Sequence, residues 1–173
     1  MKKNLVLTGM MGVGKSTLGK ILSERLNLKF IDIDKHIEER ENMSIKDIFE
    51  KNSEEYFRKV EKKESLKSLM KENNIIALGG GAFINKEIRN LAKKTSITFW
   101  LNLSVELLVK RLGQSKKRPL LDFNNLDKSL RTILRERKEI YKLADFKIDC
   151  NYISKAVIAN KIIKLYESKQ NKS

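Results

Sequence analysis

Apolar residues along this chain come either in short unbroken runs or in longer stretches where they recur every three or four positions. Asn4 to Thr8 is a run of the first kind, and Leu18, Ile21, Leu22 and Leu26 follow at helical spacing beyond the loop Gly9 to Gly14. The pattern predicts strand, loop and helix. Phe30 to Asp34 predicts a second strand ending in acidic residues, with a charged stretch holding His36, Glu38 and Glu39 behind it. Ser44, with Asp47 three residues on, is a capping signal for a short helix whose apolar face is Ile45, Ile48 and Phe49. Ser53 is placed to cap a longer helix carrying Phe57, Val60, Leu69 and Met70, although its apolar spacing between Val60 and Leu69 is irregular.

Strands are predicted at Ile75 to Leu78, which runs into Gly79, Gly80 and Gly81, and at Ile97 to Leu101. Ser104 can cap a helix with Leu107, Leu108, Arg111 and Leu112, after which Gly113 to Asn125 is polar, basic and aperiodic, as a mobile loop would be. Leu126, Leu130, Ile133, Leu134 and Tyr141 form one helical stripe, Phe146 to Cys150 a fifth strand, and Val157 to Tyr166 a closing helix. The polar tail after Tyr166 is expected to fray. Strands alternating with helices imply an α/β fold, a doubly wound five-stranded parallel sheet flanked by helices.

Composition narrows the class. At 173 residues, with 40% hydrophobic and 34% charged residues, the chain fits one packed domain, and neither a repeat nor a low-complexity linker divides it. No run approaches the roughly 20 apolar residues of a membrane helix, and Gly9, Gly12 and Gly14 interrupt the one run that could begin a signal peptide, so a cytoplasmic protein is expected. Cys150 is the single cysteine, which rules out an intrachain disulfide and a cysteine-based zinc cluster and reads as a small buried hydrophobe. The formal charge of +15 suits phosphate-rich partners. Its lysines are scattered singly and in pairs, without a basic arm or an aromatic ladder, so a basic nucleic-acid-binding protein that uses ATP as a switch is the weaker reading.

The chemistry is concentrated in the first loop. Gly9 to Ser16 reads GMMGVGKS and fits G-x4-G-K-[ST] where a strand hands over to a helix, the context a phosphate-binding loop requires. Glycines let backbone N–H groups turn towards phosphate oxygens at the positive end of the helix. Gly12, Val13, Gly14, Lys15, Ser16 and Thr17 are therefore the candidate ATP-binding residues, with Lys15 bridging the β- and γ-phosphates and the Ser16 hydroxyl on Mg²⁺. Asp32 and Asp34, two apart on the predicted strand, would point to one face beyond the sheet end. One carboxylate could then reach Mg²⁺ through water while the other holds an acceptor hydroxyl.

With that loop, DID at Asp32 to Asp34, FRKVE from Phe57, GGGA from Gly79, RPLL from Arg118 and RKEIY from Arg137 make the chain resemble the shikimate kinases from Asn4 to about Tyr166. The resemblance implies a P-loop kinase fold with a substrate-binding helical segment (33–61), a lid (112–123) and a core made of 1–32, 62–111 and 124–166, followed by the tail 167–173. It implies ATP-dependent phosphorylation of the 3-hydroxyl of shikimate, a step towards chorismate and the aromatic amino acids. Asp34, Arg58, Gly79, Gly80, Gly81 and Arg137 would bind shikimate, the two arginines gripping its carboxylate as guanidinium forks do. Lys15, Asp34 and Arg118 are the candidate catalytic residues, Arg118 swinging in with the lid to join Arg111 among the ATP contacts. Asp32, through water, would join Ser16 on the metal.

Glu61 could brace Arg58, and Phe49 and Phe57 could pack on the substrate ring or simply in the core. Asp34 is read as orienting the hydroxyl more than deprotonating it, since neighbouring arginines favour a weakly basic carboxylate. Near Asp149 to Ser154 the chain departs from the family pattern, with no arginine to sandwich the adenine. A gluconate or nucleoside monophosphate kinase would share the loop and the lid; the GGGA run with Arg58 and Arg137 favours shikimate. A monomer acting on ATP and shikimate, with Mg²⁺ and without nucleic acid, is the resulting expectation.

Overall fold

The computed structural model describes residues 3–113 and 119–171. Five parallel strands, β1 (Asn4–Thr8), β2 (Lys29–Asp32), β3 (Asn74–Ala77), β4 (Ser96–Asn102) and β5 (Phe146–Asp149), form one sheet in the order β2-β3-β1-β4-β5. β1 lies between β3, with Leu5 opposite Ile75, and β4, with Leu5 opposite Ile97. Strands covered on both faces need apolar side chains throughout, which is why β1 and β3 are continuous buried runs, whereas β2 and β5 at the edges are partly exposed.

Helices α1 (Lys15–Leu26), α2 (Ile33–Glu41), α3 (Ile45–Lys51), α4 (Glu54–Leu69), α5 (Lys86–Thr95), α6 (Val105–Leu112), α7 (Leu126–Tyr141) and α8 (Lys155–Gln170) flank this doubly wound sheet. The capping signals act as read: the hydroxyls of Ser44, Ser53 and Ser104 accept from the backbone N–H groups of Asp47, Tyr56 and Leu107. α4 runs unbroken across residue 61, where the sequence reading placed the edge of the substrate-binding segment. Its irregular apolar spacing has a physical reason, because the buried face between Val60 and Leu69 is made of Glu61, Glu64, Ser65 and Ser68. No helix among the described residues is long and apolar enough to cross a membrane.

Three differences from the expectations are instructive. β2 stops at Asp32 rather than Asp34, because the Asp32 carboxylate accepts from Lys35 N and starts α2 there. Asp34 thus sits in the first turn of a helix, not on a strand beside Asp32. The tail does not fray at Tyr166, since α8 continues to Gln170, whose amide donates to the Lys3 carbonyl at 2.9 Å and accepts from Lys3 N at 3.1 Å. In the expected lid, Leu112 is the buried last residue of α6 and Leu121 is also buried, so both ends of that segment belong to the core.

Two polar groups tie the sheet to its helices. Asn4, 1% exposed, donates to the carbonyls of Leu69, the last residue of α4, and of Lys71, and accepts from Asn74 N at 2.9 Å. Asp145 lies one residue before β5 and accepts from Thr98 N at 2.9 Å, Thr98 Oγ1 at 2.7 Å and Lys169 Nζ at 2.6 Å. The carboxylate thereby completes the β4 ladder where β5 has not yet begun. Burial opposes the Asp145 charge, but Lys169 and Thr98 overcome it and hold the carboxyl below its ordinary value of 3.8. A depressed native pKa adds stability above the unfolded value and loses it as the pH falls through the native one. In thermal unfolding Asp145→Asn is expected to melt below the wild type at neutral pH, with the gap closing as the pH drops below 3.8; a gap of constant size across that range contradicts the linkage.

Cys150 is 3% exposed, and burial pushes its thiol up to about 11.

Candidate active site

Every candidate site residue among the described ones lies at or beyond the carboxyl ends of the strands, where parallel α/β sheets bind ligands. The loop after β1 turns through positive φ at Gly9 (135°), Gly12 (77°) and Gly14 (105°), conformations that side chains resist. A Cβ at Gly9 would also lie 2.5 Å from the Leu101 carbonyl oxygen. α1 then begins with no side-chain cap, whereas α2, α3, α4, α5, α6 and α8 each have one. Its first-turn N–H groups are left to serve an anion. Lys15 Nζ lies over this loop, donating to Gly9 O at 2.9 Å and Met10 O at 3.0 Å.

Ser16 Oγ donates to Asp32 Oδ2, so a hydroxyl and a carboxylate meet beside the loop. Hard oxygen donors of this kind fit Mg²⁺, which commonly takes one or two protein ligands and completes its shell with water and phosphate oxygens. No cluster of three or more acidic, histidine or cysteine ligands occurs among the described residues. Arg111 reaches the outside of the loop, donating to Val13 O at 3.1 Å and Gly12 O at 3.4 Å. Arg118 lies outside the described residues. In the turn after β5, Asn151 accepts from Ser104 N at 2.8 Å and Tyr152 is 89% exposed.

A phosphate-side cavity of about 600 Å³ is lined by Gly12, Gly14, Lys15, Ser16, Thr17 and Asp32, among others. A second cavity of about 430 Å³ is lined by Phe49, Phe57, Arg58, Glu61, Gly81 and Arg137, with Pro119 and Leu120 from the expected lid segment. Met11, Asp34 and Gly80 line both. Asp34 therefore stands where the cavities join, although it reaches that place from a helix. Phe49 and Phe57, 5.0 Å apart, pack with the core as one of the two expectations had it, and both also wall the second cavity.

The glycine run does something the sequence reading did not foresee. None of Gly79, Gly80 and Gly81 is among the residues at positive φ, so their conformation does not demand glycine. Space does: a Cβ at Gly79 would run into Glu61 and come within 2.8 Å of Asp34 Oδ1, and one at Gly81 would lie 2.6 Å from Arg58 Nη1. At Gly80 it would meet Met11 N at 3.3 Å and Arg137 Nη1 at 3.6 Å. The run is the floor onto which two carboxylates and two guanidinium groups converge.

Arg58 Nη1 donates to Glu61 at 2.7 Å, and Arg58 Nη2 to Glu54 at 3.1 Å, which gives Arg58 the brace expected of Glu61. Glu61 is 3% exposed; burial pushes its carboxyl above the usual range, Arg58 counters, and the Asp34 charge adds to the rise. Arg137 Nη1 is buried and has no hydrogen-bond partner, a costly state for a charged donor unless a ligand completes it. Tyr141, one turn along α7 and 0% exposed, donates its hydroxyl to Gly80 O while its ring stacks on Trp100 at 5.9 Å. Burial raises the Tyr141 pKa and keeps the phenol a donor. The sequence reading placed Tyr141 only on the apolar stripe of its helix. A tyrosine on an otherwise apolar stripe was the available signal, because a buried hydroxyl needs a partner.

An uncapped glycine loop with its lysine, set against a second cavity across a shared carboxylate, defines a P-loop kinase. The shikimate kinase family model matches residues 11–167. A shikimate kinase of a Sulfurihydrogenibium species is 42% identical over 161 residues, covering 93% of this chain and 96% of the relative. The shikimate kinase of Acinetobacter baumannii, solved in complex with shikimate, superposes with a TM-score of 0.93 at 34% identity, covering 98% of this chain and 96% of that one. The chain belongs to the shikimate kinase family. A gluconokinase of Sinorhizobium meliloti, at 15% identity and a TM-score of 0.60, shares the fold alone.

Proposed function

We propose that the chain transfers the γ-phosphoryl group of ATP to the 3-hydroxyl of shikimate, giving ADP and shikimate 3-phosphate. The observation that carries this reading is that Asp34 lines both the phosphate-side cavity and the arginine-lined one, so a hydroxyl held by Asp34 faces the phosphate loop. The loop N–H groups and Lys15 hold the β- and γ-phosphates. Ser16 and, through water, Asp32 hold Mg²⁺, which offsets charge on the phosphate oxygens. Arg58 and Arg137 grip the shikimate carboxylate at the far end, and Gly79 to Gly81 leave room for that grip. Asp34 accepts the hydroxyl's hydrogen bond and fixes its line of attack, since a loose phosphoryl-transfer state asks little of a base.

Arg111 borders the nucleotide side, and Arg118 is assigned to the γ-phosphate by family resemblance. The same reading takes the protein as a cytoplasmic monomer without a nucleic-acid partner. Coupled ADP release is expected with shikimate and not with gluconate, nucleoside monophosphates, DNA or RNA. Release as fast with gluconate as with shikimate would remove the assignment.

A further inference from the structure

We propose that Glu64 is a positioning residue that sets where Asp34 stands, an inference that rests on the function just proposed. Glu64 lies on α4 one turn beyond Glu61 and is 3% exposed, a place where a carboxylate survives only with partners. Two of its partners come from α2. Arg40 Nη1 donates to Glu64 Oε1, and His36 Nε2 lies 3.2 Å from Glu64 Oε2. Nε2 carries the hydrogen in that contact, because an ionised carboxylate only accepts. Lys67, 3.7 Å away and one turn along α4 itself, adds charge without linking the helices.

The link matters because of what each helix carries. α2 holds Asp34 in its first turn and α4 holds Arg58 and Glu61, so the separation of α2 from α4 is the separation of the acceptor carboxylate from the substrate's anchor. Apolar packing fixes α2 thinly, for its nine residues bury only Ile33 and Ile37. Within the site the Asp34 charge disfavours that of Glu61 while Arg58 and Arg137 favour it, so the two carboxylates add no direct tie between the helices. Glu64 supplies one: its carboxylate holds His36 and Arg40, two and six residues beyond Asp34, onto α4. The solvent-facing bond from Tyr56 to Glu41, 2.7 Å, reinforces the same pair of helices from outside. α2 is thus held at its start by the Asp32 cap and along its length by a buried anion on the neighbouring helix.

If Glu64 works through Asp34, removing its charge matters only while Asp34 is there to be placed. Glu64→Gln is expected to lower kcat with shikimate by about tenfold while KM for ATP stays within about twofold, the size of a coupling between residues sharing a network. In an Asp34→Asn background the same substitution is expected to change kcat by less than about twofold. Arg40→Met, made from the α2 side at a side chain 39% exposed, is expected to repeat both results and tests the idea if Glu64→Gln fails to fold. An equal loss of kcat in both backgrounds overturns the inference, as does loss of the folded state in both variants, which would make the pair a fold determinant. Absence of shikimate turnover in the wild type overturns the proposed function and takes this inference with it.

Discussion

Asp34→Asn is expected to lower turnover with shikimate by roughly a hundredfold, the loss that a misplaced reacting group brings, and to shift KM for shikimate only a few-fold. The asymmetry follows from where the residue stands. On the proposed reading shikimate's affinity comes from the guanidinium groups that line the second cavity, while Asp34 lines both that cavity and the phosphate-side one. An amide there keeps the shape but turns an oxygen into a donor, so the hydroxyl can be held in a geometry that leads nowhere. Steady-state kinetics separates the two effects, and unchanged kcat removes Asp34 from the reaction.

Arg137→Ala is expected to raise KM for shikimate by about thirtyfold or more, because losing one partner of a desolvated charge pair costs about 2–5 kcal/mol. KM for ATP stays within about twofold. The folded protein loses a weaker counter-charge to Glu61 with it, since Arg137 acts on that carboxylate less than Arg58 does and its buried Nη1 has no hydrogen bond to lose. Arg58 is different. It already serves Glu61 and Glu54, so its removal leaves the buried Glu61 short of a counter-charge and lowers thermal stability as well as affinity. Titrating both variants with shikimate and with ATP, alongside melting curves, tests the contrast; equal losses for both ligands would place the arginines elsewhere in the reaction.

Features written in local chemistry were legible along the chain. A hydroxyl before an apolar face announces a helix start, so Ser44, Ser53 and Ser104 were readable, and so was the phosphate loop, whose spacing is its mechanism. Asp34 was misplaced for a local reason as well, because a short apolar run followed by acids reads as strand until Asp32 is seen capping the next helix. What stayed hidden depends on residues far apart in sequence. Gly79 to Gly81 are glycine to make room for residues from α2, α4 and α7, and no pattern around position 80 could say so. Glu64 carries no local signal in the sequence, and only the fold sets it against His36 and Arg40. The end of α8 depended on Lys3, at the other end of the chain.

The chemistry of the single thiol makes the protein convenient to watch at work. Cys150 is enclosed, and its thiolate is scarce at neutral pH, because burial raises its pKa to about 11. Maleimide and iodoacetamide reagents therefore meet almost no background in the folded chain. A dye carried by a cysteine in place of the exposed Tyr152 would report from a single known position.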